Sequence, residues 1–183
     1  VPLSSPAAER EPFHTRSIAF EAFRRPDGWF DLELHLIDVK PYDCPLESGV
    51  RPAGEPVHDM WLRLTVDTDY TVRDAELVMD AMPYTGYCNQ VLPDYKKLIG
   101  LSLRSNFRLR AAELFRGTAG CAHLNEMLGL FPTAAVQSLY QNPVETADKP
   151  FQLDRCHALE TTSEAVRRYY PRWYRGAAAN TTK

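Results

Sequence analysis

Apolar and polar residues alternate along the first half of the chain with a period of two. Phe30, Leu32, Leu34 and Leu36 alternate with Asp31, Glu33 and His35, which describes a strand with one face in a core. Residues 15–24 alternate more weakly, with Ile18 and Phe20 on one face. Between them stands Arg25-Pro26-Asp27-Gly28, where Pro pre-sets one dihedral and Gly accepts a positive φ. Residues 15–40 therefore predict a β-hairpin. The polar, Pro/Gly-rich stretch from Pro41 to Pro56 reads as a loop. Met60, Leu62, Leu64 and Val66 then face one way and Trp61, Arg63 and Thr65 the other. Asp67-Thr68-Asp69 predicts a turn. Residues 71–80 form a fourth strand whose face blurs from Val72 to Ala75, Leu77 and Met79, as a bulge would make it.

After Pro83 the period changes. Val91, Leu92, Tyr95, Leu98 and Ile99 have helical spacing over 90–101. Further short helices are expected over 107–116, over 120–128 with Gly129 as the stop, and over 133–140 with Pro132 in the first turn. Thr161-Thr162-Ser163-Glu164 fits a capping box that opens a last helix before Pro171. Strands followed by helices predict an α+β fold, with an N-terminal antiparallel sheet of about four strands in two hairpins packed by C-terminal helices. A single domain over 1–183 is expected, with 1–12 and 176–183 as loose ends.

Composition narrows the function classes. The 183 residues are 44% hydrophobic and 25% charged, the balance of a globular protein. No run is long and apolar enough for a membrane helix, and the start lacks the basic head and apolar core of a signal peptide, so a cytoplasmic protein is expected. Four cysteines are too few for a disulfide scaffold and are expected to be reduced. Residues 1–80 hold 8 Lys/Arg against 16 Asp/Glu, and residues 81–183 hold 13 against 8. A net charge of −3 argues against nucleic acid as a partner. The basic second half suits either packing against an acidic first half or an anionic substrate.

Four places carry candidate chemistry. Gly117-Thr118-Ala119-Gly120-Cys121-Ala122-His123 leads into a helix, where free N–H groups and the helix dipole stabilise a thiolate. Two residues apart, Cys121 and His123 cannot share a face inside a helix, but they can converge in an irregular first turn. Asp154-Arg155-Cys156-His157 precedes the last helix. Should Cys121, His123, Cys156 and His157 meet, they would supply a tetrahedral metal set suited to zinc or iron. A metal-free Cys/His pair and small buried hydrophobes are the alternatives. His58 and Asp59 open a strand and are candidate catalytic groups. Neighbours on a strand point to opposite faces, so they are not expected to touch. Asp38, Lys40, Tyr42 and Asp43 sit at a strand exit that could rim a pocket. The segment 167–175 mixes arginines and aromatics and suits docking into the domain or onto a partner. The phosphate loop, dinucleotide fingerprint, Gly-x-Ser-x-Gly elbow and His-Glu-x-x-His are missing from the sequence, so no nucleotide cofactor is expected.

Gly28-Trp29, Asp38-x-Lys40, Gly54-Glu55-Pro56-Val57-His58-Asp59-Met60, Gly120-Cys121-Ala122-His123-Leu124, Cys156-His157-Ala158-Leu159 and Tyr170-Pro171 span almost the whole chain. With them the chain resembles a bacterial domain family catalogued as being of unknown function. The resemblance implies a bacterial, single-domain cytoplasmic protein in a setting of aromatic or acyl-thioester catabolism. The combined expectation is an enzyme of lyase, hydratase, decarboxylase or hydrolase type, acting on an aromatic or carboxylate-bearing metabolite. Cys121, His123, His58, Asp59 and His157 are its candidate catalytic residues, and Arg108, Arg110, Arg167 and Arg168 would hold the substrate anion. A Cys/His metal or redox protein without turnover and an interaction module using the Arg/aromatic segment are the alternatives, and a homo-oligomer is compatible with each.

Overall fold

β1 (Thr15–Arg24) and β2 (Phe30–Val39) pair antiparallel in one unbroken register, from Thr15 opposite Val39 to Arg24 opposite Phe30. Gly28 takes φ +88°, and Asp27 Oδ1 accepts from Trp29 N at 3.1 Å, closing the expected turn. β5 (Pro56–Val66) pairs with the other edge of β2, and β6 (Val72–Ala81) with β5, giving the order β1-β2-β5-β6. The expected irregularity at the fourth strand is present as two register shifts, at Asp59/Met60 and Thr65/Val66. This is the α+β architecture that the hydrophobic pattern predicts, seen in a computed structural model that describes residues 3–139, 149–150 and 152–176. Two compact units divide the chain, Val1–Tyr140 and Gln141–Lys183.

One sheet face makes the core of the first unit. Leu32, Leu34 and Leu36 on β2 and Leu62, Leu64 and Val66 on β5 are fully buried. Each buried side chain of this size stabilises by about 1.5–3 kcal/mol. The cluster continues through Tyr95, Leu98, Phe107, Phe115, Leu124 and Phe131 from the helical half. These come from a 3₁₀ segment, Cys88–Leu98, and from α1 (Phe107–Phe115), α2 (Ala122–Leu128) and α3 (Phe131–Leu139). The opposite face carries Glu33, Trp61, Arg63, Glu76 and Val78, all partly or fully exposed.

Three expectations need correction. The stretch 41–56 contains a small hairpin, β3 (Cys44–Leu46) and β4 (Gly49–Arg51), each too short to show an alternating pattern. The helix over 90–101 is a 3₁₀ helix over Cys88–Leu98, with Pro93 inside it. Pro93 has no N–H to give to an i−4 carbonyl, and Tyr95 and Leu98, three residues apart, point inward together. The last helix, α4 (Glu164–Tyr169), is capped by Ser163, whose Oγ accepts from Val166 N, so the cap lies two residues beyond the expected Thr161.

In the second unit Asp154 Oδ1 accepts from Thr161 N at 2.8 Å and Oδ2 from Lys149 at 2.6 Å, bracing the turns before α4. The expected loose ends divide: residues 3–12 are exposed and lack regular structure, and residues 177–183 lie outside the described residues. Among the described residues no helix is long and apolar enough to cross a membrane.

Leu34 is the middle of the buried β2 row. Leu34→Ala is expected to cost about 2–5 kcal/mol of unfolding free energy, measured by urea titration, because the surrounding strands cannot collapse onto the gap. A loss below 1 kcal/mol would mean that this row is not the core.

Candidate functional site

The β2 row of inward side chains runs Leu32, Leu34, Leu36 and then Asp38, a carboxylate where the pattern calls for another apolar residue. It is as inaccessible as the leucines, with 2% of its side chain exposed. The ladder decides what meets it. Arg16 lies opposite Asp38 on β1, and His58 lies opposite it on β5. Arg16 forks the carboxylate, Nε to Oδ1 at 2.8 Å and Nη2 to Oδ2 at 2.7 Å, and its Nη1 reaches Glu126. His58 Nδ1 stands 2.9 Å from Asp38 Oδ2, and His14 Nε2 stands 3.2 Å from Oδ1. One rung of the sheet thus holds a guanidinium, a carboxylate and an imidazole in a row.

α2 brings the rest. His123 sets its ring against that of His58, with centroids 3.8 Å apart and planes tilted by 36°, and its Nε2 lies 3.9 Å from Asp38 Oδ2. Glu126, one turn on, is the second acceptor of Arg16. Cys121 is the N-cap residue, and its Sγ stands 3.8 Å from His123 Nδ1. Cys121 and His123, which an irregular helix start allows to converge, do come together here, although the thiol makes no capping hydrogen bond to the helix.

The start of α2 is fixed from beneath. Tyr95 stacks on Phe115 at 4.2 Å, accepts from Cys121 N at 3.0 Å and donates to Asn125 Oδ1 at 3.0 Å. Asn125 Nδ2 in turn donates to Phe115 O at 2.7 Å. Burial pushes the Tyr95 phenol up to about 12, so it stays a hydroxyl that can both give and take. Gly120 is required here: a Cβ would come within 2.4 Å of Phe115 O. The Gly-Cys-x-His run is thus a close-packing device as well as a carrier of chemistry.

Electrostatics divide the cluster into a held anion and two neutral rings. Burial pushes the Asp38 carboxyl up, but the Arg16 fork and the neighbouring His58 pull harder, and it stays below the usual carboxylate range. Hydrogen bonding to Asp38 raises the Arg16 guanidinium further. His58 is pushed down from 6.5, first by burial and then by the charge of His123, against the opposing pull of Asp38. His123 is pushed down by burial and by the charge of Arg16. Both rings therefore keep a nitrogen lone pair at neutral pH. In the first unit, one group of described residues gathers ligand atoms this way: Asp38, His58 and His123, one atom from each, all within 4.8 Å of one another.

Other candidate residues have partners of their own. Asp59 is on the outer sheet face, where its Oδ1 is 2.6 Å from Nε2 of a His35 stacked on Trp61 at 3.6 Å. Arg108 joins Gly129 O and Thr133 Oγ1 at 2.8 and 2.9 Å, and Arg110 pairs with Glu113 at 2.7 Å. Cys156 and His157 belong to the second unit, the former exposed and capping a 3₁₀ turn over His157–Leu159. In that unit Arg167 forks Glu164, and Arg168 lies over the Tyr169 ring. Sequence reasoning passed over His14, Arg16 and Glu126. Arg16 was findable: a hairpin turning at Pro26-Asp27-Gly28 with Arg24 opposite Phe30 puts Arg16 opposite Asp38.

The two depressed imidazoles fix the sign of a pH effect. Below about 6.5 the unfolded chain takes up protons that His58 and His123 in the folded protein refuse, so stability rises with pH across this window and falls as pH drops. Urea unfolding of metal-free protein between pH 7.5 and 5.5 is expected to show this loss. The His58→Gln/His123→Gln variant should show a flatter profile. An equal slope in both proteins would place the titrating groups elsewhere.

No curated protein and no solved structure matches the chain. A protein-family match covers residues 14–137, which include His14, Arg16, Asp38, His58, Cys121, His123 and Glu126 and leave out Cys156 and His157. That match spans more than half of the sequence, and the chain belongs to the family described as "Protein of unknown function (DUF2889)".

Proposed function

We propose that this chain is a small-molecule enzyme whose reacting centre is a divalent metal ion held by Asp38, His58 and His123, acting on a carboxylate-bearing metabolite by lyase, hydratase, decarboxylase or hydrolase chemistry. One observation carries the reading: a carboxylate and two neutral imidazoles, on three separate elements, have ligand atoms within 4.8 Å of one another. Two His and one carboxylate with open positions suit iron(II) or zinc. An ion about 2.0–2.2 Å from each donor needs the three groups to close by an ångström or so, a side-chain adjustment. While Arg16 takes one of its lone-pair sites on each oxygen, Asp38 keeps one more on each, the two that His58 and His14 face, so a metal would take the place of one of those contacts.

The surroundings support a working centre rather than a structural plug. Exposure rises across the cluster, from 2% of the side chain at Asp38 to 14% at His58 and 26% at His123, so the set is anchored at the back and open at the front. Cys121 Sγ sits by Nδ1 of His123, where an outer partner would orient the ring and leave Nε2 free to ligate. A metal in such a set polarises a bound carbonyl or carboxyl and lowers the pKa of bound water. This set shares His123 with the conditional set of Cys121, His123, Cys156 and His157.

Elemental analysis of purified protein, followed by zinc and cobalt(II) titration of the chelator-stripped protein, tests the reading. About one ion per chain is expected, with visible cobalt absorption. His58→Ala and His123→Ala should each weaken zinc binding by about 100-fold or more, since even outer-shell changes cost 10–100-fold. His35→Ala on the outer face should leave it unchanged. Zinc binding that survives both site variants would reject the centre.

A further inference from the structure

We infer that Phe13, Lys40 and Tyr42 form a subsite beside this centre for the ring and carboxylate of a small aromatic acid. The inference deepens the metal-centre reading by naming the substrate class, and rests on that reading for its charge argument.

The hairpin places the subsite. The β1–β2 pairing ends with Thr15 opposite Val39, and His14 and Lys40 are the next residue out on either strand, two positions from Arg16 and Asp38. His14 Nε2 reaches Asp38 Oδ1 at 3.2 Å, which ties the start of β1 to the cluster. Next to His14 in the chain, Phe13 sets its ring 5.2 Å from that of Tyr42 at 41°. Lys40 Nζ lies 5.1 Å from the Phe13 ring and 5.8 Å from the Tyr42 ring.

Two properties point to a ligand. Phe13 is 67% exposed, yet its ring is held against a lysine and a tyrosine. A ring in that position is available to stack. Lys40 has no salt-bridge partner among the described residues, whereas its neighbour Arg16 has two carboxylates. An ammonium over ring faces still has donors to offer, and a carboxylate is what they suit.

Charge gives the sign of the ligand. Arg16 and Lys40 balance Asp38 and Glu126 around the rung. A divalent ion at Asp38, His58 and His123 adds two positive charges, and a bound anion would offset part of them. A free phosphate would satisfy the charge but make no use of the two rings. An aryl carboxylate uses both, with its ring against Phe13 and Tyr42 and its carboxylate between Lys40 and the centre.

Benzoate is the probe, titrated calorimetrically into the zinc-loaded and the metal-free full chain, with acetate and inorganic phosphate alongside. Benzoate is expected to bind one to one, and acetate and phosphate about tenfold or more weaker, for want of a ring to stack. Lys40→Met keeps the aliphatic stem and should weaken benzoate about tenfold or more while leaving zinc affinity unchanged. Phe13→Ala should also weaken it, with no effect on acetate. Undetectable benzoate binding, equal binding to wild type and Lys40→Met, or phosphate binding tighter than benzoate each overturns the subsite. Zinc that fails to bind, while benzoate still depends on Lys40 and Phe13, removes the metal centre and leaves the subsite standing.

Discussion

A carboxylate is buried at the end of a row of leucines, and the fork from Arg16 is what makes that burial tolerable. Alone, an ionised Asp38 at 2% exposure would protonate or pull the strand end toward water. With Arg16 on the neighbouring strand it remains an anion, and its position is set by two parallel hydrogen bonds. The other groups depend on that fixed anion. His58 is oriented by it through Nδ1, His14 turns toward it, and Glu126 completes the shell of the same guanidinium. The site is therefore an extension of the sheet ladder, in which backbone register places side chains of unlike chemistry side by side.

Much of this fold was legible because period-two patterning and turn chemistry agree. The hairpin over 15–40, the strand over Met60–Val66 and the sheet-then-helix order all follow from residues whose burial and local preference point the same way. The pieces that escaped lacked that agreement. The β3–β4 hairpin is three residues a side, and the 3₁₀ segment has apolar spacing that an α-helix would also produce.

The site was legible by halves. Cys121, His123 and His58 stood out as residue types, and the geometry of a helix start allowed Cys121 and His123 to converge. What joins them is long-range: Asp38 to Arg16 across one ladder, Asp38 to His58 across the next, and His123 onto His58 from α2. Spacing along the chain does not encode those meetings, although Asp38 at the fourth inward position of a leucine row already marked the place. His58 and Asp59 divide between the two sheet faces, as strand alternation requires and as the sequence led us to expect.

Among the described residues β1 is an edge strand, paired to β2 on one side alone. Asp38 and His58 stand on the two central strands, Asp38 paired on both sides and His58 next to the last β5–β6 pair at Asp59, while His14 and Arg16 ride at the start of the edge. The cluster therefore spans a gradient of local opening. Amide hydrogens on β2 and β5 are expected to exchange in large openings and the outward amides of β1 in smaller ones. The cationic side of the site thus hangs on the less anchored strand, and fraying at the start of β1 would carry Arg16 away from its carboxylate.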